Sequence, residues 1–166
     1  AAVMDSQSVK TSEGGEARGV DVHKQTPGRK RHIVVDTLGL LLMVVVHSAS
    51  LQDAAGGQLV LQRLFERIKH SKFNRWCRLK LIWVDGAYAS LIDTARKLFG
   101  WRLDVVRRPD GAKGFQVLAH RWVVERTFGW LGRYRRLARD YEHTVESSEA
   151  IVYLASIRRM LKFAAK

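Results

Sequence analysis

The sequence predicts an α/β domain in which a five-stranded mixed sheet is flanked by helices. Three observations carry that expectation. The chain has 166 residues, 46% of them apolar, which suffices for one ordinary domain with a real core but not for two large ones. Three strand-like runs come first, with no helical pattern between them. After them, helical spacing alternates with short β-branched runs, and a mixed sheet covered on both faces is the economical way to bury that succession.

Taken in order, Val3 to Ser8 reads as a strand carrying Asp5. Thr11 to Gly28 is polar and glycine-containing, hence a long loop or ragged turn. Arg31 to Asp36 and Leu40 to Ser48 form an antiparallel pair around Thr37-Leu38-Gly39, and the unbroken apolar run of the second predicts burial on both faces. Asp53 is placed to cap a helix whose Leu61, Leu64, Phe65 and Ile68 share one face. Leu79 to Val84 is a strand ending at Asp85-Gly86. Ser90 and Asp93 form a capping box for the next helix, with Gly100 at its left-handed end. Arg102 to Arg107 is the fifth strand, stopped by Pro109-Asp110-Gly111. A long helix follows from about Phe115 to Arg139. A last one runs from about Glu146 to Lys162, with Ala150, Leu154, Ile157 and Leu161 on one stripe.

The charge is lopsided. Lys plus Arg number 29 against 16 Asp plus Glu, giving +13 and a pI near 10.5. That predicts attraction to a polyanion, DNA or RNA above all, against the plainer reading of a solvated basic surface. A single cysteine, Cys77, excludes an internal disulfide, and the six histidines show no Cys/His pair at zinc spacing. Both point to a reducing cytosol. The longest apolar run, Leu40 to Val46, is too short to cross a membrane, and no basic-then-apolar leader opens the chain. Beginning directly in a strand, the chain reads as the later part of a longer protein.

Three carboxylates carry the chemistry. Asp85 ends a buried strand before a glycine, where ligand sites form in open α/β sheets, although Asp-Gly is also a common turn. Asp5 lies inside a strand, where Asp is disfavoured unless a cation or an edge position accounts for it. Glu125 projects at the rim of the apolar arc formed by Val123, Val124, Thr127, Trp130, Leu131, Tyr134 and Ala138. A simple ion pair with Arg121 would also explain Glu125, at a few tenths of a kcal/mol. First strand, end of the fourth and the helix after the fifth can converge at one end of the sheet. Carboxylates so close need a divalent cation, and hard oxygen donors indicate Mg²⁺ or Mn²⁺. Two such ions about 4 Å apart suit in-line phosphoryl displacement.

The basic residues around these positions are candidate DNA contacts. Arg29, Lys30 and Arg31 stand together after Pro27-Gly28, where a solvated basic turn is the equal alternative. Arg126, Arg133, Arg135 and Arg136 flank Glu125, and Trp122, on the basic side of the helix, is placed to stack on a base. Trp130 reads as core.

Four blocks in this order, MDSQSVKT (4–11), PGRKRHIVVDTLGLLL (27–42), VDGAYA (84–89) and RWVVERTFGWLGRYRRL (121–137), with the later DYE (140–142), resemble the catalytic half of IS5-type insertion-sequence transposases in the wider IS4/IS5 DDE group. The resemblance covers nearly the whole chain. It implies an RNase H-like fold, and Asp5, Asp85 and Glu125 as an acidic triad in which Asp5 bridges both metals. The wider group carries a Tyr, Arg, Glu, Lys signature on the last catalytic helix. Arg121 and Glu125 match it and make Arg121 a phosphate-positioning group, whereas Leu118 and Gly132 stand where Tyr and Lys would. It further implies cleavage at transposon ends and strand transfer into target DNA, a homodimer on DNA, and a bacterial cytoplasmic, nucleoid-associated location. The DNA-binding region that usually precedes this half is expected to be absent here. An RNase H-like nuclease without joining activity, or a non-catalytic DNA-binding remnant, are the rival readings.

Overall fold

In the computed structural model, which describes residues 1–12, 14–71, 78–107 and 120–165, the centre of the molecule is the strand β3 (Thr26–Asp36). It pairs antiparallel with β1 (Ala2–Lys10) on one side and with β4 (Leu41–Ser48) on the other, through the turn closed by Gly39 N donating to Asp36 O. A three-residue strand, β2 (Gly19–Asp21), continues the β4 edge along the start of β3. Beyond β1 the sheet becomes parallel, with β5 (Leu81–Val84) and then β6 (Arg102–Val105). The mixed, helix-flanked sheet is RNase H-like, as expected. The polar stretch read as loop contributes the extra strand β2, and β3 begins five residues early, because Gly28 lets the strand run on. Its φ is 143°, and a Cβ there would meet the Val9 carbonyl oxygen at 2.1 Å.

Two helical layers cover the sheet. On one face, α1 (Asp53–Lys69) and α2 (Ile92–Phe99) close a core of Met4, Val34, Val45, Leu61, Leu64 and Ile82. The Gly56-Gly57 pair inside α1 lets its backbone lie against His32, His47 and Tyr88; a Cβ on Gly56 would sit 2.4 Å from the His32 ring. On the other face, α3 (Arg121–Gly132), the short α4 (Arg135–Ala138) and α5 (Val145–Ala164) pack on Val3, Ile33, Val35 and Val44.

Several local expectations are corrected. The caps foreseen at Asp53 and Ser90 are not made: α1 starts after Gln52, and a 3-10 turn over Gly86–Leu91 leads into α2. Asp53 instead accepts from Ser6 Oγ and faces Lys30. Gly100 does end α2 in the left-handed conformation. The long helix is broken after Gly132, so Arg135 and Arg136 ride on a separate turn. Its expected start at Phe115 and the Pro109-Asp110-Gly111 stop lie outside the described residues. The Leu154, Ile157, Leu161 stripe of α5 faces solvent, while the smaller Ser148, Val152, Ala155 and Ser156 face inward.

The cations Arg29, Lys30 and Arg31, expected at a DNA surface, are buried instead, with exposures of 0%, 4% and 1%. Side chains alternate along β3, so Arg29 and Arg31 enter the α4/α5 layer, and Lys30 and His32 enter the α1 layer. Arg29 reaches Asp140 at 3.4 Å and the carbonyls of Glu16, Glu142, His143 and Thr144. Arg31 donates to Leu137 O and lies 3.8 Å from Asp140, which also accepts from Ser148 Oγ at 2.6 Å. Lys30 is paired with Asp53 at 3.0 Å and Asp21 at 3.4 Å. His32 stacks on His47, and burial, reinforced by His47, holds its pKa down to about 3.

Two predictions follow from this core. Asp140→Ala leaves two buried guanidinium groups without their carboxylate and is expected to lower unfolding free energy by about 3–5 kcal/mol, read from urea midpoints. Because the folded-state pKa of His32 lies below its ordinary value near 6.5, its contribution is complete above that pH and is lost as pH falls toward 3. Denaturation curves at successive pH values should therefore weaken through that window, and His32→Asn should flatten the dependence.

Candidate active site

The parallel pairing of β1 with β5 aligns Val3 with Trp83. Continued two residues along both strands, it sets Asp5 level with Asp85 at the same end of the sheet. Asp5 points to the α3 layer, as Val3 does, and is largely buried. One of its oxygens accepts from Ser6 N at 2.7 Å. Burial pushes its carboxyl above the usual range, against the lowering influence of the Ser6 amide and Arg121, and Asp85 adds to the rise. Asp85 caps the 3-10 turn by accepting from Ala87 N at 2.9 Å, which leaves its other oxygen free to turn toward α3.

The start of α3 supplies the remaining groups. His120 has a φ of 68°, in the left-handed region, and its ring stacks on Trp83 with centroids 3.8 Å apart. That contact ties the helix to the strand carrying Asp85. Arg121 follows directly. Its Nη2 lies 3.3 Å from Asp5 Oδ2, 3.8 Å from Asp85 Oδ2 and 4.0 Å from Glu125 Oε1. One guanidinium nitrogen therefore touches all three carboxylates named from the sequence. Arg121 Nε is buried without a hydrogen-bond partner among the described residues.

Among the described residues, no three acidic, histidine or cysteine side chains are clustered closely enough to hold a metal ion in this arrangement. The donor chemistry nevertheless fits a hard divalent cation: three carboxylates face the single guanidinium of Arg121. Asp5, Asp85 and Glu125 are the residues that could hold it.

The other expected contacts divide. Trp122 is 42% exposed. Arg126 is half-buried, donates to Leu38 O at 3.0 Å and lies over the Trp122 and Trp130 rings. Trp130, read as core, is half-buried between arginines. Arg133 and Arg135 are exposed, whereas Arg136 is paired with Glu142 at 2.7 Å. No helix among the described residues is long and apolar enough to cross a membrane.

The family model for the transposase DDE domain matches residues 1–159. The chain belongs to the transposase DDE domain family. The chain is also 28% identical over 130 residues to a Burkholderia cepacia protein described as "Putative transposase for insertion sequence element IS402". That alignment covers 77% of this chain and 60% of the relative, so the chain spans less than two thirds of the protein it matches. The insertion-sequence transposase resemblance drawn from the four sequence blocks thus holds at the level of the family.

The distances make Arg121 the counter-charge of the cluster. In metal-free protein, a double-mutant cycle of Arg121→Gln with Asp5→Asn is expected to return a coupling of about 1–2 kcal/mol, since both groups are largely buried. The Arg121–Glu125 cycle, with Glu125 nearly half exposed, should return only a few tenths.

Proposed function

We propose that the chain is the catalytic part of an insertion-sequence transposase of the IS5 type, with Asp5, Asp85 and Glu125 as its divalent-metal ligands. The convergence of all three carboxylates on Arg121 Nη2 carries this reading. Mg²⁺ or Mn²⁺, two ions at full occupancy, would supply activation of an attacking oxygen and stabilisation of a leaving one. Asp5 is held within a strand and by the Ser6 amide, and Asp85 by its bond to the Ala87 amide, which limits how far either carboxylate would have to move to ligate an ion. Glu125, on the rim, is free to adjust. Arg121 balances the carboxylates and keeps a guanidinium beside the place a scissile phosphate would take. Trp122, Arg126, Arg133 and Arg135 extend the basic surface from that place.

The proposed reaction is hydrolysis of phosphodiester bonds at element ends, followed by attack of the freed 3′-hydroxyl on target DNA. Both are in-line displacements at one centre. Action on paired ends makes a homodimer on DNA the proposed working form.

Incubation with a supercoiled plasmid carrying the element's ends tests the reading. Nicked and joined products are expected with Mg²⁺ or Mn²⁺ and not with EDTA. Asp85→Asn should lower product formation on the order of a thousandfold, the loss of several kcal/mol of transition-state stabilisation. Nicking without joining would favour a nuclease, and DNA binding without any product would favour a non-catalytic remnant.

A further inference from the structure

A second basic feature lies on the α3 layer, around the helix from Glu125. Trp122, Arg126 and Trp130 stand at i, i+4 and i+8 of α3. The Arg126 guanidinium lies 4.3 Å from the Trp122 ring centroid and 4.5 Å from that of Trp130. Arg159, from α5, covers the same Trp130 ring. The result is an alternating ladder of ring, guanidinium, ring, guanidinium. Past Trp130 it opens into a groove of about 420 Å³ between α3 and α5, lined by Trp130, Tyr134 and four cations, Arg133, Arg158, Arg159 and Lys162.

What sets these cations apart from other unpaired ones among the described residues, such as Arg96 and Lys97, is that they gather around one groove and that three of them lie over aromatic rings. Arg29, Lys30 and Arg31 are consumed by Asp140, Asp53 and Asp21, Arg63 by Glu149 and Arg136 by Glu142. Among the described residues, Arg126, Arg133, Arg158, Arg159 and Lys162 make no ion pair at all. Arg158 rests on the Tyr134 ring as Arg126 and Arg159 rest on tryptophans. Burial, then the neighbouring charges of Arg126 and Arg133, lower the pKa of Arg159. Five like charges, three of them held over aromatic rings and none paired with a carboxylate, make a site for a polyanion. A solvated basic face would not need the rings.

We propose that the α3–α5 groove is a DNA-backbone site. It seats consecutive phosphates of the strand that leads away from the carboxylate centre. The direction rests on the proposed active site, because Trp122 directly follows Arg121; the binding itself does not. From Trp122 to Trp130 the helix rises about 12 Å, which matches three to four phosphates of one strand when measured along the axis of a duplex. Guanidinium edges would contact phosphate oxygens, and the rings would hold the guanidinium planes in place.

The test is DNA binding by fluorescence anisotropy in EDTA, across a salt series, with labelled duplex and single-stranded oligonucleotides. The groove variant is R158Q/K162Q. The control is R96Q/K97Q on α2, which removes the same charge from exposed positions of the opposite layer. Both pairs are surface positions, and circular dichroism of each variant checks that the fold is kept. The groove variant is expected to bind roughly tenfold or more weakly at low salt. Its log–log salt slope should be shallower by about one per lost phosphate contact, while the control stays close to the parent protein. Equal losses in both variants, or an unchanged slope in the groove variant, would overturn the proposal. The result separates from that of the plasmid assay: a groove effect without metal-dependent products would keep the site and remove the catalytic reading, and products with no groove effect would do the reverse.

Discussion

The structure depends on charges buried in the middle of its sheet. Arg29, Lys30 and Arg31, followed by His32, whose pKa of about 3 keeps it uncharged, are consecutive on β3, a strand with neighbours on both sides, and none is exposed beyond 4%. Their alternation sends one pair into each helical layer. Asp140, itself accepting from Ser148 Oγ, receives the first pair, and Asp53, Asp21 and His47 the second. Each buried cation is costly unless its anion is in place, so the segment after α4, the start of α5 and the start of α1 are all fixed relative to β3. Such an arrangement selects one packing of the two layers over others, since a shifted helix would leave a charge unpaired in a dry interior.

The candidate site inherits that rigidity. Asp5 pairs with Ile33 in the ladder between β1 and β3, one residue beyond the buried run. Asp85 is carried by the parallel neighbour of β1, and α3 is held against Ile33, Val35 and Val3 through Val123, Val124 and Phe128. The Trp83–His120 stack then sets the first turn of α3 beside Asp85. Three carboxylates from three elements face one guanidinium because the sheet and one helix are locked together, and that guanidinium, of Arg121, comes from the first turn of the same helix. The raised pKa of Asp5 follows from the same burial.

Much of this was legible in the sequence. The β-branched runs, the Asp85-Gly86 strand end and Gly100 foretold the succession of elements, and strand ends and helix faces singled out the three carboxylates that converge on Arg121. Long-range partners were not legible. Nothing near Arg29, Lys30 or Arg31 in sequence marks them as core; their anions stand at 21, 53 and 140. The helical period of Trp130, Tyr134 and Ala138 continues through the break after Gly132, so the pattern reads as one helix where the chain turns. The α5 stripe misled for a packing reason. The sheet is met by small side chains such as Ala155 and Ser156, which let the helix approach closely, and the larger Leu154, Ile157 and Leu161 turn outward. The aromatic–guanidinium ladder needs Arg159 from a second helix, and a one-helix view gives only half of it.

The central claim is that Asp5, Asp85 and Glu125 form one divalent-cation centre. Affinity cleavage tests it most directly. Fe²⁺ replaces Mg²⁺, and hydroxyl radicals generated with ascorbate and peroxide cut the backbone beside the bound ion. The account predicts fragments ending near residues 5, 85 and 125 together, suppressed by excess Mg²⁺ and lost in Asp5→Asn. Cutting at only one of these places, or a pattern indifferent to Mg²⁺, would contradict it.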